Sequence, residues 1–183
     1  GGHSDILAGT AIASEAHIDK IFQLAKNFGG SLSDFTVWML ERSLKTMGLR
    51  VKAQNENALE LARFLEKHGD ISRVYYPGLE SHPDHELAKS QMKGFGGMMS
   101  FELRGGLDFD LFQKKLKLIK SSMSLAGVES TILSPSKTSH GLLSPEEREA
   151  QGIKDGLMRF SVGIEEKEDL MEDLEQALKE VRG

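Results

Sequence analysis

Residues 61–78 read Leu61-Ala62-Arg63-Phe64-Leu65-Glu66-Lys67-His68-Gly69-Asp70-Ile71-Ser72-Arg73-Val74-Tyr75-Tyr76-Pro77-Gly78. The fold turns on the change inside this stretch. Leu61, Ala62 and Leu65 continue an apolar stripe that begins at Val51 and passes through Ala58, with Glu60, Arg63 and Glu66 between. That spacing predicts a helix over residues 50–68. His68-Gly69 closes it with a cation near the carboxyl end and a glycine beyond. Ile71 to Tyr76 then reads as a strand, and Pro77-Gly78 as a turn. A strong helix running straight into a strand marks a boundary near residues 48–70 and an α/β chain.

Upstream of that helix, residues 15–28 carry Ile18, Phe22, Leu24, Ala25 and Phe28 in a helical pattern that Gly29-Gly30 ends. Ser31 to Asp34 starts another helix, with Phe35, Val37, Trp38, Leu40 and Leu44 on a broad apolar side. Gly48 is expected to end or kink it. Residues 6–13, Ile-Leu-Ala-Gly-Thr-Ala-Ile-Ala, read as a short buried strand. A strand so close to the first residue suggests that something precedes it; an edge strand that simply opens a domain is the alternative.

Downstream, Ser81 is read as the cap of a helix through Lys93, with Pro83 in its first turn. Gly94 and Gly96-Gly97 bracket a strand, Met98–Leu103. Asp108 caps a helix through Leu118, and Lys120 to Ser134 reads as strand, loop and strand. Ser144-Pro145-Glu146-Glu147 is a complete capping box. Leu157–Ile164 is a strand, and Glu165–Val181 an amphipathic helix with Leu170, Leu174 and Leu178 four apart. The expected organisation is residues 1–50, a connecting helix over 51–69, and an α/β unit over 70–183.

Composition sets the outer limits. The 183 residues carry 23 Lys+Arg against 28 Asp+Glu, a net charge of −5, and no cysteine. A mildly acidic chain without a basic tract is a poor nucleic-acid binder. Absence of cysteine rules out disulfides, thiolate metal sites and a cysteine nucleophile. No apolar run reaches the ~20 residues of a spanning helix. No membrane role and a cytoplasmic location are therefore expected.

Five patterns invite a chemical reading. His82 and His85 stand three apart, a metal-ligand spacing, but no third ligand accompanies them, so no metal site is expected. Ser134-Pro135-Ser136-Lys137 fits the S-x-x-K pattern of serine enzymes, yet lacks its partner motif and reads better as a loop. Gly94-Phe95-Gly96-Gly97 lacks the Lys-Ser/Thr of a phosphate loop and precedes a strand. Arg159 is more informative. Alternation puts Leu157, Arg159 and Ser161 on one strand face and Met158, Phe160 and Val162 on the other. A guanidinium on a partly buried strand needs an anion. A protein Asp or Glu would serve, and so would a substrate carboxylate held by the planar fork. Near it in kind, Ser121-Ser122-Met123-Ser124-Leu125-Ala126-Gly127 is small and polar, suited to close approach of a ligand or to a plain turn.

An ordered series of stretches resembles the enzymes of cysteine and methionine metabolism that use pyridoxal 5'-phosphate: cystathionine γ-synthase, cystathionine β-lyase, cystathionine γ-lyase and methionine γ-lyase. The stretches are Gly2-His3-Ser4-Asp5, Gly29-Gly30-Ser31-Leu32-Ser33, Leu44-Lys45-Thr46, Tyr76-Pro77-Gly78-Leu79-Glu80-Ser81-His82-Pro83, His85-Glu86-Leu87-Ala88-Lys89, Lys93-Gly94-Phe95-Gly96-Gly97-Met98, Gly127-Val128-Glu129-Ser130 and Arg159-Phe160-Ser161-Val162-Gly163-Ile164-Glu165. The resemblance implies the C-terminal portion of a fold-type I pyridoxal-phosphate transferase: the end of the large cofactor domain over 1–50, then the small C-terminal α/β domain.

It also implies an absence. The lysine that forms the Schiff base would stand three residues before Gly1, and the cofactor-binding residues further upstream, so no catalytic or cofactor-binding residue is expected here and this chain alone is expected to be inactive. Arg159 matches the arginine that binds the substrate α-carboxylate, and Ser124 a serine beside it. Met123 stands at a position lining the distal substrate pocket, where many relatives carry Glu. Met cannot hold the far amino group of a long substrate, which tilts the reading toward a lyase over γ-replacement on an activated homoserine. Ala126 stands where the resemblance leads one to expect Gly, and Ser139-His140 where it leads one to expect Thr-His. A small amino-acid substrate and a homotetrameric parent follow from the same resemblance. The alternative of another class is a non-catalytic α/β binding module.

Overall fold

The computed structural model describes residues 1–182. These form two compact units, one over Gly1–Gly48 and one from Leu49 onward. In the first, α1 spans Glu15–Phe28 and α2 spans Asp34–Leu44. Gly29 ends α1 in the left-handed conformation, at φ 75°, where its N–H caps the Ala25 carbonyl. Ser33, inside the expected start at Ser31 to Asp34, caps α2 by accepting from the Thr36 N–H. Residues 6–13 are not a strand: they join no sheet, and all but the half-buried Ile6 are exposed. An apolar run predicts burial only where a neighbouring strand receives it, and among the described residues none does. Phe22, Phe28, Phe35 and Trp38 are also well exposed, a larger apolar surface than scattered single residues make.

The second unit is built on α3, Met47–Lys67, whose first two residues belong to the first unit. Gly48 does not break this helix. It lies in the first turn, where the backbone N–H has no intrahelical partner to lose. There follow β1 (Ile71–Tyr75), α4 (His85–Gln91), β2 (Met98–Leu103), α5 (Phe109–Lys115), β3 (Lys120–Ser121), β4 (Thr131–Leu133), a 3-10 turn at Pro135–Lys137, α6 (Pro145–Ala150), β5 (Leu157–Ser161) and α7 (Lys167–Glu180). The sheet order is β1-β2-β5-β4-β3. Only β3 and β4 run parallel. The caps at Asp108 and Ser144 form as the sequence predicts, the latter as a full capping box. Ser81 does not cap α4; its hydroxyl goes to Glu66, and Asp84 takes the cap position without a side-chain bond.

Strand alternation sorts the sheet into two faces. Met99, Phe101, Ile132, Met158 and Phe160 join Ala58, Leu61, Ala62 and Leu65 of α3 and Leu170, Leu174, Ala177 and Leu178 of α7 in one core. Phe101 meets Phe112 and Phe160 edge-on, at 6.3 and 6.4 Å between centroids. The helices therefore cover one face. The opposite face carries Ser100, Glu102, Thr131, Leu133, Arg159 and Ser161, paired across the strands as Ser100↔Arg159, Leu133↔Arg159 and Thr131↔Ser161. Asp173 ties the two helical turns to the sheet entry: its carboxylate accepts the N–H groups of Lys117, Leu118 and Ile119 at 2.8–2.9 Å.

Glu102 is the buried acid of the open face. Burial by itself would raise its carboxyl, but hydrogen bonds from the Tyr75 hydroxyl (2.5 Å) and Lys154 (2.9 Å) outweigh burial and hold it below the usual range. A carboxyl lowered in the folded state stabilises above its ordinary pKa, and that stability is lost as pH falls through the lowered value. Unfolding midpoints measured in urea should therefore decline below about pH 4. The decline should be shallower in Glu102→Gln; an identical pH profile would show that the pair carries none of it.

Candidate functional site

The site grows from β5. Met158, Phe160 and Val162 are wholly buried in the core, so Arg159 is turned to the opposite face, as alternation requires. No carboxylate among the described residues lies within ion-pair distance of it. Its Nη2 donates instead to the carbonyls of Met123 (3.1 Å) and Ser124 (3.2 Å). Its Nε is buried and has no partner. A guanidinium has five N–H donors, and two backbone carbonyls leave most of that capacity unused. Carbonyl oxygens also leave the positive charge uncompensated, which is costly away from water. A carboxylate is the chemical group that such a donor set can accept in bidentate fashion. The protein partner that would have made Arg159 merely structural is not present among the described residues.

The structure brings Met123 and Ser124 to Arg159 through the segment between β3 and β4. Met123 is 70% exposed, so its thioether is free to line a pocket wall rather than fill the core. A depression of about 250 Å³ beside it is lined by Ser122, Met123, Leu133, Ser134 and Thr138. A larger groove, about 720 Å³, lies between α3 and residues 78–95 and shares no residue with this site. No residue of the Arg159 cluster lines that groove.

The segment itself is held at each turn. The Ser122 hydroxyl accepts the Ser124 N–H, 3.2 Å. The Thr131 hydroxyl donates to the Ser124 carbonyl, 2.8 Å. The Ala126 N–H donates to the Ser161 hydroxyl, 2.8 Å, and Gln54 Nε2 donates to the Gly127 carbonyl, 2.7 Å. Beyond it, Glu165 accepts both the N–H and the hydroxyl of Ser130, at 2.6 and 2.9 Å, while Ser130 accepts the Gly163 N–H, 2.8 Å. Asn57 of α3 donates to the carbonyls of Gly163 and Glu165. The stretches 127–130 and 159–165 are thus one physical junction. A Cβ at Gly163 would collide with the Val128 carbonyl oxygen, the Glu165 carboxylate and the Glu129 backbone.

Several sequence candidates fall away. His82 precedes α4 rather than sharing a helix face with His85, whose Nδ1 bonds the Pro77 carbonyl, 2.8 Å. Among the described residues no group of three or more His, Asp or Glu is placed to hold a metal. In the S-x-x-K run, Ser134 and Ser136 bond each other and Lys137 pairs with Asp110, so no Ser–Lys dyad forms. Gly96-Gly97 is a strand entry, its N–H held by Asn55 and its carbonyl by Val162. Ser139 and His140 bond each other at the surface. Gln54, Asn57, Thr131 and Ser161 carry no local signal, because each acts through a backbone atom far away in sequence.

With the geometry in hand, comparison with known proteins places the chain. Residues 1–179 match the model of the family described as Cys/Met metabolism PLP-dependent enzyme. The chain belongs to that family. It is 43% identical over 182 residues to cystathionine gamma-lyase of Bacillus subtilis, which covers 99% of this chain and 48% of the relative. The solved cystathionine gamma-lyase of Lactobacillus plantarum, complexed with L-serine, superposes with a TM-score of 0.92 at 38% identity, over 99% of this chain and 48% of that one. Cystathionine gamma synthase of Xanthomonas oryzae pv. oryzae follows at 0.89 and 41%, over 99% and 47%. The chain therefore spans about half the length of the relatives it matches. The expected fold class, a portion of a pyridoxal-phosphate transferase of mixed α/β structure, is borne out. Among the described residues no helix is long and apolar enough to cross a membrane.

Two backbone substitutions should move stability in opposite directions. Ala126 sits at φ 56°, a conformation that costs an L-residue about 1 kcal/mol. Ala126→Gly should raise stability by roughly 0.5 kcal/mol after the extra unfolded-state entropy of glycine is counted. Gly163→Ala should lower it by roughly 3 kcal/mol, because backbone must shift. Urea unfolding of the two variants checks both signs.

Proposed function

We propose that this chain is the C-terminal portion of a pyridoxal-phosphate-dependent carbon–sulfur lyase or synthase acting on a sulfur amino acid. The observation that carries the reading is Arg159, held by two carbonyls, with a buried Nε and no carboxylate among the described residues within ion-pair distance. Arg159 binds the substrate α-carboxylate, and Ser124 stands beside it. A single amino acid is gripped at its carboxyl end, which fixes its Cα and restricts rotation about the bond that will break. The cofactor, when bound, supplies an electron sink that makes the α-proton removable. Its own binding residues, and the Schiff-base lysine, belong on this reading to sequence ahead of Gly1, so this chain alone is inactive. Residues 1–50 end the cofactor domain, 51–69 connect, and 70–183 form the small domain.

Met123 favours elimination. Its exposed thioether presents an apolar wall where a carboxylate would hold a distal amino group. The γ-replacement reading stays in view because a synthase relative is as similar in sequence as the lyases. The parent is a cytoplasmic homotetramer on this reading, without nucleic-acid or membrane partners.

The test uses the full reading frame that contains this chain. Mixed with pyridoxal phosphate, the full protein should develop a visible absorption band that borohydride removes, and this chain alone should not. In the full protein Arg159→Ala should keep the band and raise KM for L-cystathionine or L-methionine about 100-fold, the loss of one charge-assisted carboxylate contact. An absent band in the full protein would leave a carboxylate-binding module without cofactor chemistry. An unchanged KM in Arg159→Ala would remove the arginine from the site.

A further inference from the structure

The carbonyls that hold Arg159 are not themselves rigid by local structure. They belong to an exposed segment, residues 123–126, between two short strands. Three side chains from three different elements fasten that segment, and all three are buried: Thr131 of β4 is 7% exposed, Ser161 of β5 is 1% and Gln54 of α3 is 8%. Buried polar side chains are kept where their hydrogen bonds are needed. Here each bonds a main-chain atom of the segment: Thr131 the Ser124 carbonyl, Ser161 the Ala126 N–H, Gln54 the Gly127 carbonyl. The Ser124 oxygen is the joint of the arrangement, because it accepts from the Thr131 hydroxyl and from Arg159 Nη2 together. Moving that oxygen moves the guanidinium.

We propose that Thr131 and Gln54 are positioning residues for the substrate arginine: they hold residues 123–127 so that the Met123 and Ser124 carbonyls set the orientation of Arg159. Neither touches substrate. The inference rests on Arg159 being the carboxylate-binding residue. Orientation matters because a planar fork meets a carboxylate well only within a narrow range of angles. Gln54 extends the reach of the device to α3, which is packed through Ala58, Leu61, Ala62 and Leu65 into the core. The arginine is thus referenced to the packed core of the unit, although the atoms that touch it sit in a loop.

The experiment is done on the full-length holoenzyme. Calorimetry gives the affinity ratio of L-serine to serinol, which lacks the carboxylate. That ratio isolates carboxylate recognition and is blind to general destabilisation, since both ligands meet the same folded population. Thr131→Val keeps the shape and deletes the hydroxyl. It should lower the ratio about fivefold, the scale of one hydrogen bond, and Thr131→Ser should restore it. Gln54→Met should lower the ratio likewise, and it carries the test if Thr131→Val does not fold. An unchanged ratio in both, with the ratio lost in Arg159→Ala, overturns the positioning role and leaves the arginine's role intact. A reduced ratio that Thr131→Ser does not restore also overturns it. An unchanged ratio in Arg159→Ala removes the underlying reading, and the positioning role with it.

Discussion

The close approach of β5's exit to residues 128–130 governs much of the second unit. At Gly163 the two segments touch so nearly that only a hydrogen atom fits. That contact lets Gly163 N–H reach Ser130 and Ile164 N–H reach the Val128 carbonyl. Glu165 then closes the junction by taking both Ser130 donors. From there the chain enters α7, and on the other side it enters β4. The sheet's short strands would be weak alone. Side-chain bonds to backbone at their ends replace the ladder bonds that longer strands would supply.

The same junction explains how a loop comes to hold a charged side chain in place. Gly127 lies between the Gln54 clamp and the Ser130 anchor, and Ala126 takes a left-handed conformation so that its N–H meets Ser161. Strain at one residue is tolerated because its neighbours are fixed. The outcome is a guanidinium whose Nη2 donates to two carbonyls and whose buried Nε has no partner among the described residues. Helices cover the far side of the sheet, so the core and the site share β5 without sharing a face.

Much of this was legible in the residues. The helix-to-strand change near residue 70, the caps at Asp108 and Ser144, and the alternation that turns Arg159 away from the core all follow from local pattern. Three local readings failed for a common reason. The apolar run 6–13 has no strand to pair with among the described residues, Gly48 lies inside a first turn, and Ser81 turns to Glu66 instead of capping α4. In each, a local preference lost to a context that the local window does not contain.

The sequence by itself determined which residues could face inward, where helices begin and end, and the family to which the ordered stretches belong. These depend on periodicity, capping chemistry and motif order, all of which are local or linear. Only the tertiary structure decided whether Arg159 had a protein anion, that Thr131, Ser161 and Gln54 converge on one loop, and that Gly163 must lack a side chain. Those depend on atoms separated by 7 to 73 positions meeting within about 3 Å. No pattern along a chain encodes such a meeting, because it is set by how the sheet and α3 pack.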